Sequence, residues 1–506
     1  MPTPAAALKL KAVVGFSLAA AFTAHFQFEE KHTCGVCRDI ADGLPCERYG
    51  ACHLLNSTSV DEVGCDKFCT VLGGSSEILR RPSSGMWDLR VTKAFGTKDY
   101  DLVRISVISN SSTPPIAGFF DYSGQFKYRW TENFLHTGLK KVTPGGESTF
   151  NLGEGASPIK VSLPARGAGV AGLLIADPCI SAKSGWIGCA FGDKYQTSQR
   201  TPELISSFAE DKDTNFWGII GDNFYDRTGE LSKPIFNSIS VEAKSKVFVS
   251  VPGNHDYWVL GSPLVASHKD QCGNGFMQFY AQDAKSSESI LPGNKSAPFD
   301  FSVNPDRLIL PCKVAALDNF FWYNQVGNIG MVGQSGAFSL DEAKPFMQEA
   351  CAWLGKQAGL EVALLFGHWD KSGLGASEEM AMPQWYEEMA ALPGCSDFHK
   401  RGMLKFVMGH THCNDPHPHG KVGAGFRVAG FGMDGGCGNF GAPVVDTTGN
   451  HFRFWYFDMS SDDKYMNVMN CVRKQGWRSC TSMATLWIDQ PLQGSSAQAF
   501  QEQVIV

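Results

Sequence analysis

The chain has 506 residues, more than one ordinary domain of roughly 100–200 residues holds, so two to four domains are expected. It is 43% hydrophobic, and 44 basic residues against 51 acidic ones leave a net charge of −7. That balance argues against nucleic acid or an anionic membrane as the main partner, because no basic excess exists to neutralise phosphates. Glycine and proline, 54 and 25 residues, stay well below the share that marks low-complexity chains.

In chain order, Lys9 and Lys11 precede an apolar run from Ala12 to about Ala24, with the small residues Ala19, Ala20 and Ala21 near its end. This is the pattern of a cleavable secretory signal over residues 1–24; the competing reading is an uncleaved signal anchor. No later run of ~18 apolar residues follows, so no membrane span is expected in the mature chain. A secreted or endolysosomal location follows from the same reading. Residues 25–75 then hold Cys34, Cys37, Cys46, Cys52, Cys65 and Cys69. After a secretory signal this density predicts a disulfide module rather than a zinc site, although Cys34 and Cys37 have the C-x2-C spacing of one. Two further local bridges are expected, Cys179 with Cys189 and Cys471 with Cys480. Asn56, Asn110 and Asn294 each open a glycosylation sequon.

Over residues 76–165, short β-type runs such as DLVRISVIS alternate with turn residues, which predicts a small β-rich domain. From 166 to 460 the texture changes. Compact apolar runs end abruptly in polar loops: AGLLIAD, NFWGIIGD, KVFVSVPGNHD, EVALLFGHWD and LKFVMGHTH, with helical segments between some of them. Buried strands alternating with helices predict an α/β (α+β) catalytic domain with its chemistry at the strand ends. GFRVAGFGMD and HFRFWYFDM are expected to close its sheet, and residues 461–506 form a C-terminal extension.

Each of those five runs delivers a metal-competent side chain. In order they are Asp177; Asp222 with Tyr225; Asn254 and His255; His368; and His410 with His412. Carboxylate, phenolate, amide and imidazole are the donors that hard or borderline cations use, and a carboxylate can bridge two of them. Glycines before Asp222, Asn254, His368 and His410 are expected to let the chain turn sharply towards the ions.

These five blocks resemble the calcineurin-like metallophosphoesterase superfamily, and within it the purple acid phosphatases of the tartrate-resistant type. The first block, Asp177-Pro178-Cys179, lacks the histidine common in the superfamily; purple acid phosphatases lack it too and use a tyrosine where Tyr225 stands, in GDNFY. The resemblance covers roughly residues 170–460. It implies a four-layer β-sandwich flanked by helices. It also implies Fe(3+) held by Asp177, Asp222, Tyr225 and His412, with a second divalent ion (Fe, Zn or Mn) on Asp222, Asn254, His368 and His410. Metal-activated hydroxide would attack small phosphorylated substrates at acidic pH, with His255 as general acid. Two departures stand out. Cys179 replaces a glycine usual in the family, and no further histidine follows His368 closely, which leaves Trp369, Asp370 or Lys371 for substrate contacts.

The leading expectation is therefore a secreted acid phosphatase acting on phosphomonoesters. The alternatives are a phosphodiesterase of the same superfamily, of nucleotide or sphingolipid type, and a non-catalytic binding protein on this fold. Asp256 is read as a partner of His255 or as an ordinary salt-bridge residue, and Asn223 and Asp226 as neighbours of the ligands. His417 and His419 could line the site mouth, although an exposed loop is the commoner place for such histidines, and His268, His399 and His451 read as surface or satisfied polar residues.

Overall fold

The computed structural model describes residues 87–94, 96, 99–109, 111–125, 134–152, 158–178, 195–223, 232–257, 321–370, 381–418, 423–429, 437 and 439–492. The chain divides into two compact units, Met1–Arg80 and Arg81–Val506, and every described residue belongs to the second. The expected signal, the six-cysteine module, Cys179, Cys189, Tyr225, His268, His419 and the three sequons lie outside the described residues.

The strands in chain order begin with β1 (Trp87–Ala94), β2 (Asp101–Ser109), β3 (Tyr122–Gln125), β4 (Phe134–Val142), β5 (Glu147–Phe150) and β6 (Ile159–Ser162). There follow β7 (Ala171–Ile175), β8 (Phe216–Ile220), β9 (Val247–Val251), β10 (Trp322–Val326), β11 (Ile329–Gly333) and β12 (Val362–Gly367). The last are β13 (Leu404–Met408), β14 (Asp415–Pro416), β15 (Gly425–Arg427), β16 (Gly441–Asp446), β17 (His451–Asp458) and β18 (Thr485–Pro491). Ten of them form one sheet in the order β18-β17-β16-β7-β8-β9-β1-β2-β4-β3; six form a second, β10-β11-β12-β13-β15-β14; β5 and β6 pair as a hairpin.

At the centre of the first sheet β7, β8 and β9 run parallel, and at the centre of the second β11, β12, β13 and β15 do. Strands β7, β8, β9, β12 and β13 are buried at every residue. That is why they read as unbroken apolar runs: a parallel strand is covered on both faces and has no solvent side to alternate with. Strand β17, by contrast, alternates half-buried and buried residues over most of its length.

The two sheets share a core in which Leu174, Ile220 and Val249 join Leu364, Phe366 and Val407. Phe426 stacks on Phe454 across it at 4.4 Å, and Trp322 Nε1 donates to Ser250 O at 2.8 Å. The outer face of the ten-stranded sheet is covered by helices α1 (Thr197–Ala209), α2 (Ser232–Ser238) and α3 (Val241–Lys244), with α8 (Asp462–Gln475) beside them. A single turn, α4 (Asn254–Tyr257), follows β9. Helices α5 (Leu340–Leu354), α6 (Met382–Ala391) and α7 (Cys395–Lys400) cover the outer face of the six-stranded sheet. Helix, sheet, sheet, helix is the four-layer α/β sandwich expected from the sequence. Helix α5 starts with a reciprocal cap, Ser339 accepting from Glu342 N while the Glu342 carboxylate accepts from Ser339 N.

Strands β1 to β4, from the segment expected to be a small β-rich domain, continue the ten-stranded sheet through a parallel pairing of Val91 with Val247. The C-terminal segment likewise supplies β18, the far edge of that sheet. Strand β15, from GFRVAGFGMD, joins the six-stranded sheet, whereas β17 joins the ten-stranded one. No helix among the described residues is long and apolar enough to cross a membrane.

Disulfides join Cys351 to Cys395, Cys413 to Cys437 and Cys471 to Cys480. The third was expected; the first two were not. Cys351–Cys395 ties the end of α5 to the start of α7 and closes a separation of 44 residues. Replacing both cysteines by alanine is expected to cost up to about 4 kcal/mol through the freed unfolded chain. Urea unfolding of the double variant against wild type measures this, and a loss below about 1 kcal/mol would refute it.

Candidate metal centre

The parallel strands of both sheets end at one place. Asp177 lies two residues beyond β7, Asp222 two beyond β8, and Asn254 and His255 just beyond β9. His368 follows β12 directly, and His410 and His412 follow β13. Carboxyl ends of parallel strands are where open α/β sheets gather functional loops, since the helices that cover the faces leave these edges free.

The backbone is unusual there. Six non-glycine residues among those described have a positive φ, and four of them are Asp177 (50°), Asp222 (47°), His410 (70°) and His412 (56°). Left-handed backbone at a residue with a Cβ costs roughly 1–3 kcal/mol, and it persists only where the surroundings enforce it. The expectation that glycines provide the turn holds for Gly221, at φ 83°, whereas Gly253, Gly367 and Gly409 have no positive φ, and at Asp177, Asp222, His410 and His412 the candidate ligands themselves take the strained conformation. Gly253 and Gly409 serve close approach instead. A Cβ on Gly253 would stand 2.1 Å from Asp222 Oδ1, and one on Gly409 would stand 2.6 Å from Ile220 O and 2.7 Å from His368 Nδ1.

Seven of the eight expected site residues are described, and they converge. His412 Nε2 lies 3.1 Å from Asp177 Oδ1, His368 Nε2 lies 3.2 Å from Asp222 Oδ2, and His410 Nδ1 lies 3.0 Å from Asn254 Oδ1. His368 Nε2 is also 3.7 Å from Asp177 Oδ1. One donor atom each from Asp222, His368 and His410 falls within a 4.8 Å cluster. The backbone closes the group further: His410 N donates to Asp177 Oδ2 at 2.9 Å, and His255 N donates to Asp222 Oδ1 at 2.8 Å.

These spacings suit cations. Two donors about 2.1 Å from one ion, at right angles, stand ~3.0 Å apart. Hydrogen bonds have similar lengths, so the decisive atom is His368 Nε2. It is fully buried and makes no hydrogen bond, while its Nδ1 is held by Ile220 O at 2.9 Å. The Ile220 carbonyl can only accept, so Nδ1 carries a proton, and Nε2, between two carboxylates, is the atom left to take up a second proton or a cation. A buried ring nitrogen in this position is left unsatisfied unless a proton or a cation completes it.

The electrostatics agree. Burial works against a charge on His368, yet the Asp222 and Asp177 carboxylates push its pKa up to about 9. Burial would raise the Asp222 carboxyl, but the His368 and His255 rings hold it well below the usual carboxylate range. Burial, helped by His368, pulls His410 down to about 4, and it lowers His255 despite the nearby Asp222 carboxylate. Without a cation, His368 thus takes up a proton to balance the carboxylates, and a cation replaces that proton.

Other expected residues fall elsewhere. Asp256 does not serve His255: its carboxylate accepts from Asn223 and Gly253. His417 packs on Phe406 at 5.3 Å and stands 3.9 Å from Asp370, and Phe406 in turn faces Tyr386 of α6. That places it towards the outer helices and not among the ligands. Trp369 is fully buried, so it offers packing, whereas His399 meets Tyr386 Oη at 3.1 Å and His451 meets Asp489. Ser250 was missed; the signal was a lone serine inside the otherwise apolar strand VFVSV.

No known family profile matches the sequence, and no curated protein matches it. Among solved structures the chain is similar to purple acid phosphatase PPD1 from yellow lupin (Lupinus luteus) seeds, at 12% identity and a TM-score of 0.43, over 75% of this chain and 72% of that one. It is also similar to a conserved predicted phosphoesterase from Streptococcus pneumoniae TIGR4, at 10% identity and a TM-score of 0.23, over 57% of this chain and 90% of that one. A single-mutant Vps29 from Entamoeba histolytica matches at 8% identity and a TM-score of 0.24, over 63% and 99% of the two chains.

Proposed function

We propose that the chain is a dinuclear-metal phosphoester hydrolase that acts on small phosphomonoesters in the manner of a purple acid phosphatase. The observation that carries this reading is the buried, unsatisfied His368 Nε2 between Asp222 and Asp177, set among donor pairs at 3.0–3.2 Å. The donor set divides naturally in two. Asp177 and His412, with Tyr225 and Asp222, would hold a ferric ion; Asn254, His368 and His410, with the same Asp222, would hold a divalent one. Two cations, when bound, supply positive charge to the phosphoryl oxygens and make a nucleophilic water easier to deprotonate.

The chain's own residues do the rest. His410 N and His255 N fix one oxygen each of Asp177 and Asp222, and the other oxygens face His412 Nε2 and His368 Nε2, where a cation would be shared with those rings. His255 is tied by its backbone to Asp222, and its ring feels Asp222, His368, Asp177 and His412, so it would stand beside the donor cluster to protonate a departing alkoxide. A first block without histidine favours the monoester enzyme over the diesterases. The three described disulfides support passage through an oxidising compartment and so a secreted or endolysosomal protein.

The test uses full-length protein made in a secretory host with iron present. Turnover of 4-nitrophenyl phosphate is expected to exceed that of bis(4-nitrophenyl) phosphate by at least about tenfold, or about 1.4 kcal/mol in the barrier. A visible charge-transfer band is expected that disappears in Tyr225→Phe. A preference for the diester would replace the proposal with a phosphodiesterase, and turnover of neither ester would overturn it.

A further inference from the structure

Two neighbouring loops serve the proposed divalent site: the loop after β8 brings Asp222, which that site shares with the ferric one, and the loop after β9 brings its ligand Asn254, followed by His255. They are joined by a buried carboxylate that belongs to neither donor set. Asp256 Oδ2 accepts from Gly253 N at 2.7 Å and from Asn223 Nδ2 at 2.8 Å, and its two oxygens stand 3.1 and 3.2 Å from Asn223 N. Asn223 is the residue after Asp222, and Gly253 the residue before Asn254. From the other side, His255 N donates back to Asp222 Oδ1 at 2.8 Å. The hydrogen bonds therefore close a ring: Asp222, Asn223, Asp256, His255 and Asp222 again.

The ring is anchored in the sheet. Asn223 Nδ2 also donates to Val251 O at 3.1 Å, and Asn223 Oδ1 accepts from Ser250 Oγ at 2.8 Å. Ser250 O in turn receives Trp322 Nε1 from the second sheet at 2.8 Å. Asn223 and Ser250 are fully buried and Asp256 is 8% exposed. A buried carboxylate is retained where several N–H groups converge on it. Three converge here, and each belongs to a residue beside a candidate ligand. An acid that only capped α4 would bond within α4; this one reaches 33 residues back along the chain to Asn223.

We infer that Asp256 is a positioning residue, which together with Asn223 and Ser250 fixes the separation of Asp222 from Asn254 and so sets the affinity of the divalent site. This rests on the donor assignment proposed above. In Asp256→Asn an amide N–H2 must face N–H donors on one side, so the two loops part while the fold's core is untouched. Groups that orient metal ligands typically carry about 10–100-fold in metal affinity.

The measurement is zinc binding to the metal-free full-length protein by calorimetric titration, with 4-nitrophenyl phosphate turnover alongside. Wild type is expected to bind two zinc ions. Asp256→Asn is expected to bind one as wild type does and the other about 10–100-fold more weakly, with kcat reduced at unchanged KM. Ser250→Ala, which removes only the hydroxyl that orients Asn223, is expected to weaken the same ion by a smaller factor. Two ions at wild-type affinity in Asp256→Asn overturn the inference; if that variant does not fold, unchanged affinity in Ser250→Ala overturns it. A wild-type protein that binds zinc but hydrolyses no ester defeats the proposed activity, and the zinc affinities still decide the role of Asp256.

Discussion

Asp222→Ala is expected to reduce both zinc binding and phosphomonoester turnover by more than about 100-fold, beyond what the loss of a merely orienting group causes. In the proposed assignment Asp222 serves both ions: Oδ2 faces His368 Nε2 at 3.2 Å while Oδ1 holds His255 N at 2.8 Å. Its removal would take a donor from each proposed site and free the backbone of His255, the proposed general acid. His255→Ala is expected to behave differently, keeping both zinc ions while turnover falls roughly 10²–10⁴-fold. The pair of variants separates coordination from proton transfer. A stability measurement on the metal-free protein adds an independent arm. The ion pair raises His368 to about 9 in the folded state, above the ordinary 6.5, and holds Asp222 below its ordinary value. The stabilisation from His368 is complete below about pH 6.5 and is lost as pH rises through about 9; the stabilisation from Asp222 is lost only as pH falls through its depressed value. Asp222→Ala should therefore destabilise the chelated protein more at pH 6 than at pH 10. Zinc affinity and turnover within tenfold of wild type would sink the assignment of Asp222.

The residues that meet at the strand ends stood out in the sequence because each follows a strand buried on both faces, and such strands are short, apolar and end abruptly: FWGII before Asp222, VALLFG before His368. What the sequence did not disclose is how the strand ends meet. The ring of Asp256 depends on β8 and β9 lying side by side in register, Ile220 opposite Val251, which no local pattern encodes. The joining of β1 to β4 onto the ten-stranded sheet turns on one pairing, Val91 with Val247, between segments 156 residues apart, so a run of β-type segments read as a unit of its own. Cys351 and Cys395 lie in helices separated by a strand, where spacing says nothing about pairing. Glycines before the ligands were visible, but not that Asp177, Asp222, His410 and His412 themselves would take the left-handed backbone. That strain is imposed by the packing around the strand ends, not by the residue's own preference.

The second large effect belongs to a residue far from the chemistry in role. Lys405, the one polar residue of LKFVM, lies in β13 on the face turned towards the other sheet, 3% exposed. Its Nζ donates to Gly423 O at 2.7 Å and to Gln490 Oε1 of β18 at 2.8 Å, and it stands 5.2 Å from the centre of the Phe452 ring. Both acceptors are neutral, and burial pulls its pKa down to about 7. Because the folded value lies below the unfolded 10.5, the cost of holding this lysine is full below about pH 7, shrinks as pH rises from there, and is gone above about 10.5. The interval from 10.5 to about 7 corresponds to an upper limit of about 5 kcal/mol. Lys405→Met keeps the length of the side chain and removes the charge, but leaves the Gly423 and Gln490 oxygens without their donor, at about 1–3 kcal/mol. The variant should thus be more stable than wild type at pH 6.5, by about 2 kcal/mol or more, and less stable at pH 10. Urea unfolding of both proteins in chelator at the two pH values measures this, since the titrations of His368 and Asp222 are common to both and cancel in the difference. A difference in stability that does not change with pH would mean that Lys405 is folded with its charge intact, and that Gln490 and the carbonyl of Gly423 suffice to solvate it between the sheets.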